Sequence, residues 1–263
     1  MEFDFEFGMA CDPGRRRGDA LNQDAVRLLL PETSPFRPPL LVVADGLGGH
    51  GGGATASQLV VEAMERHFRQ ARHPTDYRAL LEKCVREAHR SIREHATHNP
   101  DLSHMGSTVV AAVLEKERAW VVNVGDSRAY LLRPEGIRQL SWDHSWVGEL
   151  VRAGQLSPEE ARIHPQRNRL TMAIAARREV VHPFSTETPL QAGDILLLCS
   201  DGLWGVVPET LLWAVAGELP PQQAAEKLVA LANANQGPDN ISVILARRPG
   251  PRWGGGEDET WPG

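Results

Sequence analysis

The chain is poor in cysteine, in lysine and in unbroken apolar runs. Its three cysteines, Cys11, Cys84 and Cys199, show no C-x-x-C spacing, so neither a disulfide framework nor a zinc site is indicated, and a reduced, cytoplasmic setting is expected. No apolar run approaches the roughly 20 residues that a bilayer span requires. The formal net charge of -6 lacks the basic excess of a nonspecific nucleic-acid binder. The basic groups are nearly all arginine, which reads as compositional bias. No G-x-x-x-x-G-K-[ST] run is present, which excludes a Walker phosphate loop. The opening MEFDFEFGMACDPGRRR alternates apolar and acidic residues like a half-buried strand, unlike a secretory signal.

What is present is the composition of an ordinary globular protein, 41% hydrophobic and 24% charged over 263 residues. That length supports a single large core, and no linker divides it. One domain is expected over 1–248, followed by a disordered tail over 249–263 that includes the Gly-, Pro- and acid-rich GPRWGGGEDETWPG. Strands are predicted in EFDFEFGMA, PLLVVAD, GSTVVAAVLEK, RAWVVNVGD, RAYLLRP, GDILLLCSD and NISVILARR. The segment VVAAVLEKERAWVVNVGDSRAYLLRPEGIRQL reads as an antiparallel meander, with Glu115 to Arg118, Asp126 and Ser127, and Glu135 and Gly136 near its turns. Helices are predicted at 54–72, 76–97, 145–154 and 208–234. They come in blocks rather than in alternation with strands, which favours helices laid over antiparallel sheets.

LLVVADGLGGHGGGATASQLVVEAM carries two competing readings. Gly46, Gly48 and Gly51 match G-x-G-x-x-G after an apolar strand. A dinucleotide unit, however, needs a second parallel strand and a terminal acid about 30 residues on. Two helical patterns follow instead. The other reading starts from Asp45. Four strands or turns end in an aspartate followed by a small or amide residue, in VVADG (Asp45), VGDS (Asp126), LLCSDG (Asp201) and GPDN (Asp239), and Asp24 in LNQDA begins a fifth. Singly, each fits a turn, because aspartate tolerates left-handed backbone and bonds its own main chain. Together they would converge, and two carboxylates about 4 Å apart repel by about 4 kcal/mol at an effective dielectric of about 20. Such a cluster takes up protons or cations. Oxygen donors without His or Cys spacing suit Mg²⁺ or Mn²⁺, and a pair of such ions suits phosphoester hydrolysis.

The motifs NQDA (Asn22 to Ala25), VADGLGGHGGG (Val43 to Gly53), MGSTVVAAV (Met105 to Val113), VGDSRAYLL (Val124 to Leu132), the segment from Asp143 to Thr171, LLCSDGLW (Leu197 to Trp204) and GPDNISVIL (Gly237 to Leu245) stand in one order. In that order they resemble the PPM-type, or type 2C, metal-dependent protein serine/threonine phosphatases, in the compact bacterial form. The resemblance runs from about Phe3 to Arg247. It implies an α+β fold, a four-layer α-β-β-α sandwich with two central antiparallel sheets and a metal site at one edge. It implies two Mn²⁺ or Mg²⁺ ions and a third, weaker site. Asp45 would bridge the pair with the Gly46 carbonyl on one ion, Asp201 and Asp239 would complete the other, Asp24 would hold metal-bound water, and Asp126 would serve the third site. A metal-bridging hydroxide would attack phosphorus, and 143–171 would form a flap beside the site.

His50 would protonate the leaving serine or threonine oxygen, or else is a solvated loop residue. The family places an arginine three residues before the Asn of NQD. Here that position is Asp19, and Arg17 in PGRRRGDALNQD is expected to reach the phosphate instead. The flap ends LTMAIAARRE where relatives show LTRALG, and Gly205 stands where an acidic residue is frequent. The implied substrates are phosphoserine and phosphothreonine proteins, the targets of a bacterial Ser/Thr kinase, acted on by a monomer without nucleic acid or membrane. Two other readings stay open at this stage, a phosphoprotein-binding module without turnover and a hydrolase of small phosphometabolites.

Overall fold

The computed structural model describes residues 5–15, 21–30, 38–49, 51–72, 74–250 and 253. Among these, β1 (Glu6–Asp12), β12 (Ile241–Arg247), β11 (Ile195–Cys199), β7 (Arg128–Arg133) and β8 (Gly136–Gln139) lie side by side in that order as a five-stranded sheet. A seven-stranded sheet runs β10 (Phe184–Pro189), β6 (Arg118–Val124), β5 (Val109–Glu115), β3 (Leu40–Leu47), β4 (Gly106–Ser107) and β9 (Ile174–Ala175), with β2 (Asp24–Leu29) also paired to β3. Neighbouring strands are antiparallel throughout both sheets.

The strand sequences are apolar on both faces because each sheet is covered on both faces. Leu41, Val43, Val110, Ala112, Leu196, Leu198 and Ile244 fill the space between the sheets. Their neighbours Leu40, Val42, Val109, Ala111 and Val113 point the other way, onto α1 (Gly52–Gln70) and α2 (Tyr77–His98). On the far side, Tyr130, Leu132, Ile195, Leu197, Val243 and Leu245 pack against α6 (Glu209–Glu218) and α7 (Pro221–Ala234). The period-2 alternation of each strand thus feeds two cores, which makes the four layers α-β-β-α. In α1, Ala56, Val60, Ala63, Met64 and Phe68 are buried at helical spacing, as are Leu81, Cys84, Val85, Ala88 and Ile92 in α2. Asp76 caps α2 by accepting from the Ala79 N–H at 2.9 Å.

Three expectations need correction. The block predicted as one helix over 208–234 is two, broken at Leu219 and Pro220, because proline cannot continue a preceding helix but suits the first turn of the next. Buried Arg247 donates to the carbonyls left free at the end of α6, those of Ala216, Gly217 and Leu219. The predicted tail starts too early, since the Trp253 indole lies 5.3 Å from that of Trp213 and donates to the Gly193 carbonyl at 3.0 Å. The remaining tail positions from 254 onward lie outside the described residues.

The third correction concerns the meander. β5 and β6 form a hairpin in one sheet, and β7 and β8 form another in the other sheet. Between them Gly125, Asp126 and Ser127 cross from sheet to sheet, and all three are buried. A continuous meander would have left one face of the apolar strands β5, β6 and β7 in water, whereas the crossing covers both. Gly125 has φ +99, and a Cβ there would lie 2.6 Å from the Thr108 side chain. After β8 the chain makes an excursion through α3 (Trp146–Arg152) and α4 (Pro158–Ile163). Its ends are tied together by the Trp146 N–H on the Arg169 carbonyl and the Thr171 N–H on the His144 carbonyl, both at 2.8 Å.

Replacing Gly125 by Ala is expected to destabilise the fold by about 2 kcal/mol or more, from strained backbone and overlap with Thr108. Urea unfolding measures it, and an unchanged midpoint would mean that the crossing relaxes without cost.

Candidate active site

Antiparallel register gathers the aspartates at one end of the sandwich. Asp24 opens β2 directly opposite Asp45 on β3. Cys199, the last residue of β11, pairs with Val243 on one side and Arg128 on the other. The end of β11 therefore adjoins the starts of β12 and β7, which are preceded by Asp239 and Asp126. Asp201 follows at once, in the first turn of α5 (Asp201–Trp204). The β5–β6 register places Val109 opposite Val124, which brings the Thr108 end of β5 to the same crossing.

Hydroxyl and amide side chains hold these carboxylates in place. The Asp45 N–H donates to Thr108 Oγ1 at 3.1 Å, and its carbonyl accepts from the Thr108 N–H at 2.8 Å and Ser107 Oγ at 3.0 Å. Thr108 Oγ1 also bonds Ser127 Oγ at 2.7 Å, next to Asp126. Ser200 Oγ donates to Asp24 Oδ2 at 2.7 Å and accepts from the Ser242 N–H at 3.0 Å. Asn240 accepts from the Gln23 N–H at 2.9 Å and donates to the Pro13 carbonyl at 2.8 Å, which ties the Asp24 loop to the Asp239 loop. Gly46 is required here: a Cβ would lie 2.0 Å from the Gly53 carbonyl oxygen, so only glycine lets the first turn of α1 press onto β3.

The electrostatics match the crowding. Burial pushes the Asp24 carboxyl up to about 7, with the Asp201 and Asp239 charges adding to the rise and hydrogen bonds from Ser242 and Ser200 opposing it. Asp45 is raised well above the carboxylate range by burial and then by the charges of Asp24, Asp201, Asp126 and Asp239. Asp126 is raised by burial, then by Asp201 and Asp143. Asp24 Oδ1 is buried with no hydrogen-bond partner. These acceptor-only groups fit a hard divalent cation, which would replace their mutual repulsion with attraction. Among the described residues, no three His, Cys, Asp or Glu side chains form a cage for an ion by themselves. Carbonyl and water oxygens would have to complete the shell, as hard cations accept.

Beside Asp201 and Asp239 lies a cleft of about 170 Å³ whose other wall carries Arg162, Arg167 and Asn168 from the α4 excursion. The excursion is moored by Asp143, which receives Arg128 Nη2 at 2.7 Å and Gln139 Nε2 at 2.9 Å. His144 belongs to the mooring, since its main-chain N–H donates to the Gly125 carbonyl at 2.9 Å and its ring sits against the same residue. Burial lowers its pKa.

The structure thus brings Asp24, Asp45, Gly46, Asp126, Asp201 and Asp239 to one end of the sandwich. Arg17 and His50 lie outside the described residues. Sequence reading assigned no role to Thr108, Ser200, Ser242 or Arg128. The available signal was polarity inside apolar strands, for Ser242 interrupts NISVILARR and is fully buried.

The sequence model described as protein phosphatase 2C matches residues 11–231. The chain belongs to that family. Among curated phosphatase 2C relatives, the serine/threonine phosphatase stp of Listeria monocytogenes is 38% identical over 215 residues, 80% of this chain and 84% of that protein. The crystal structure of Stp1 from Staphylococcus aureus superposes with TM-score 0.85 at 32% identity, covering 94% of this chain and 96% of that one. The catalytic domain of the serine/threonine protein phosphatase PstP, solved in complex with two manganese ions, superposes at TM-score 0.78 and 34% identity, over 92% and 97% of the chains.

For this phosphatase 2C chain the raised carboxyls give a signed expectation. Folded Asp24 titrates at about 7, above its unfolded value, so the stability it contributes is complete below the ordinary carboxylate range and is lost as pH rises through about 7. The melting temperature of protein freed of metal by EDTA should fall between about pH 5 and about pH 8, and Mn²⁺ should restore it at the upper end. A flat profile in EDTA would show that burial and the neighbouring charges do not raise the Asp24 carboxyl as described.

Proposed function

We propose that this chain is a metal-dependent protein serine/threonine phosphatase that hydrolyses phosphoserine and phosphothreonine in proteins. The observation that carries the reading is the gathering of five aspartates at one end of a phosphatase 2C sandwich. Asp45 sits among them, its carboxyl raised by burial and then by the charges of the four others. Asp45 and the Gly46 carbonyl, together with Asp201 and Asp239, would hold two divalent ions, Mn²⁺ or Mg²⁺, while Asp24 would orient water and Asp126 would serve a third, weaker site. When bound, the ions supply neutralisation of phosphoryl charge and an ionised water at neutral pH.

The chain's own residues do the rest. Ser200 holds the Asp24 carboxylate by a hydrogen bond and is itself fixed by the Ser242 N–H, and Thr108 holds the Asp45 peptide, so the acceptors are aimed before substrate arrives. Arg17 takes the phosphate dianion through its planar fork, and His50 returns a proton to the departing serine or threonine oxygen. The substrates are phosphoproteins, targets of an opposing bacterial Ser/Thr kinase, met by a monomer in the cytoplasm. Among the described residues no helix is long and apolar enough to cross a membrane. The relatives are named serine/threonine phosphatases, and no observation favours a silent binding module or a phosphometabolite hydrolase.

The deciding experiment is hydrolysis of a phosphothreonine peptide in EDTA, Mg²⁺ and Mn²⁺, beside the folded variants Asp45→Ala and Asp201→Ala. Turnover should require metal and fall more than about a hundredfold in each variant, in line with the several kcal/mol a metal ion contributes to such a step. Full activity in either variant would remove that residue from the site. Arg17→Ala should raise KM for the peptide with kcat little changed, and an unaltered KM would return Arg17 to a solvated loop.

A further inference from the structure

The mooring of the α3–α4 excursion contains a residue pair that the catalytic assignment does not use. Arg128 opens β7 immediately after the Asp126 crossing. It is mostly buried, with its side chain 13% exposed. Its guanidinium grips Asp143 through Nε at 3.1 Å to both carboxylate oxygens and Nη2 at 2.7 Å, and donates through Nη1 to Tyr130 Oη at 2.8 Å. The same group lies over the Trp204 ring, with Cζ 3.6 Å from its centroid. Trp204 closes α5, the turn that begins with Asp201. Its indole N–H donates to the Asp126 carbonyl at 3.0 Å, and its own carbonyl accepts from Arg162 Nη2 of α4 at 3.1 Å. A cavity of about 140 Å³, walled by Arg128, Trp204, Trp142, Val147 and Val151, separates the excursion from the sheet on this side. The excursion therefore rests on a few contacts, and these two side chains provide several of them.

We infer that Arg128 and Trp204 are a positioning pair that registers the α3–α4 excursion to the carboxylate cluster. The connection is continuous. Asp143 and Arg162 belong to the excursion, Arg128 and the indole are stacked between them, and the indole N–H ends on the main chain of Asp126, with Asp201 one short helical turn behind. A guanidinium satisfies this geometry because it offers a fork to the carboxylate and a face to the ring at once. Lysine keeps the charge and loses both. Phenylalanine at 204 keeps a ring for stacking and loses only the donor to Asp126. The two substitutions therefore separate mooring from transmission.

This inference rests on the phosphatase reading, and its test separates the two. Wild type, Arg128→Lys, Trp204→Phe and the double variant are compared by hydrogen exchange across 146–163 and by titration calorimetry with Mn²⁺ alone. Turnover of a phosphothreonine peptide is followed in parallel. Trp204→Phe should leave exchange across 146–163 unchanged and weaken Mn²⁺ binding about fivefold, as loss of one hydrogen bond to the main chain of a buried residue implies. Arg128→Lys should quicken that exchange and weaken Mn²⁺ binding as well, and the double variant should fall short of the product of the single effects, since the residues act through one contact.

Unchanged Mn²⁺ binding in Trp204→Phe overturns the inference, and decides it alone if Arg128→Lys fails to fold. So does an Arg128→Lys protein that exchanges faster, or melts lower, with Mn²⁺ binding intact, because that is the behaviour of a salt bridge serving stability only. Independent, fully multiplicative effects also overturn it. If wild type neither binds Mn²⁺ nor turns over the peptide, the phosphatase reading falls and takes the inference with it.

Discussion

Mutual repulsion among buried carboxylates is the constraint around which this molecule is built. Asp24, Asp45 and Asp126 each sit in low-dielectric surroundings with other aspartates in electrostatic range, an arrangement that costs stability unless protons or cations are taken up. It persists because two apolar sheets over-determine the positions of the strand ends that carry them. The inter-sheet core of Leu41, Val43, Val110, Leu196, Leu198 and Ile244 fixes the strands, and the strands fix the aspartates.

Hydroxyl groups make the cluster tolerable without neutralising it. Ser107, Thr108 and Ser200 sit where apolar strands meet the cluster, and each satisfies a backbone or carboxylate group that water no longer reaches, while Ser127 bonds the Thr108 hydroxyl. Their role explains why polar residues interrupt runs that are otherwise Val, Ile and Leu. The α3–α4 excursion belongs to the same system, since its base is pinned by Asp143 and His144 to Arg128 and Gly125, the residues flanking Asp126. The excursion and the carboxylate geometry thus share supports.

Much of this was legible before any coordinates. Apolar strands ending in aspartate announced the cluster, because a residue type costly to bury recurred at equivalent ends of buried segments. The helical blocks and antiparallel strands followed from periodicity, and the motifs in order pointed to the family and, through that resemblance, to the two-sheet sandwich. The segment around Asp126 was misread for an intelligible reason. A buried Gly-Asp-Ser crossing and a solvent-exposed hairpin turn use the same residues, and local chemistry does not record which sheet a strand joins. The helix block broke at Pro220 because helical periodicity in the flanking segments outweighed two adjacent prolines in the reading. Trp253 was assigned to a tail by its glycine-rich neighbours, although one indole over Gly217 and Trp213 is enough to hold that point of the chain.

The sequence by itself determined which atoms the site contains, namely oxygen donors in excess with no soft ligand beside them, and which faces of each strand must be covered. Those properties are local, set by residue type and by a period of two or 3.6. Only the tertiary structure decided that Asp24 lies opposite Asp45, that Ser200 reaches Asp24 across 176 positions of sequence, and that Arg128 stands between Asp143 and Trp204. Such pairings depend on strand register and sheet choice, which are fixed by the sum of many weak contacts between distant segments and leave no mark in any short stretch of chain.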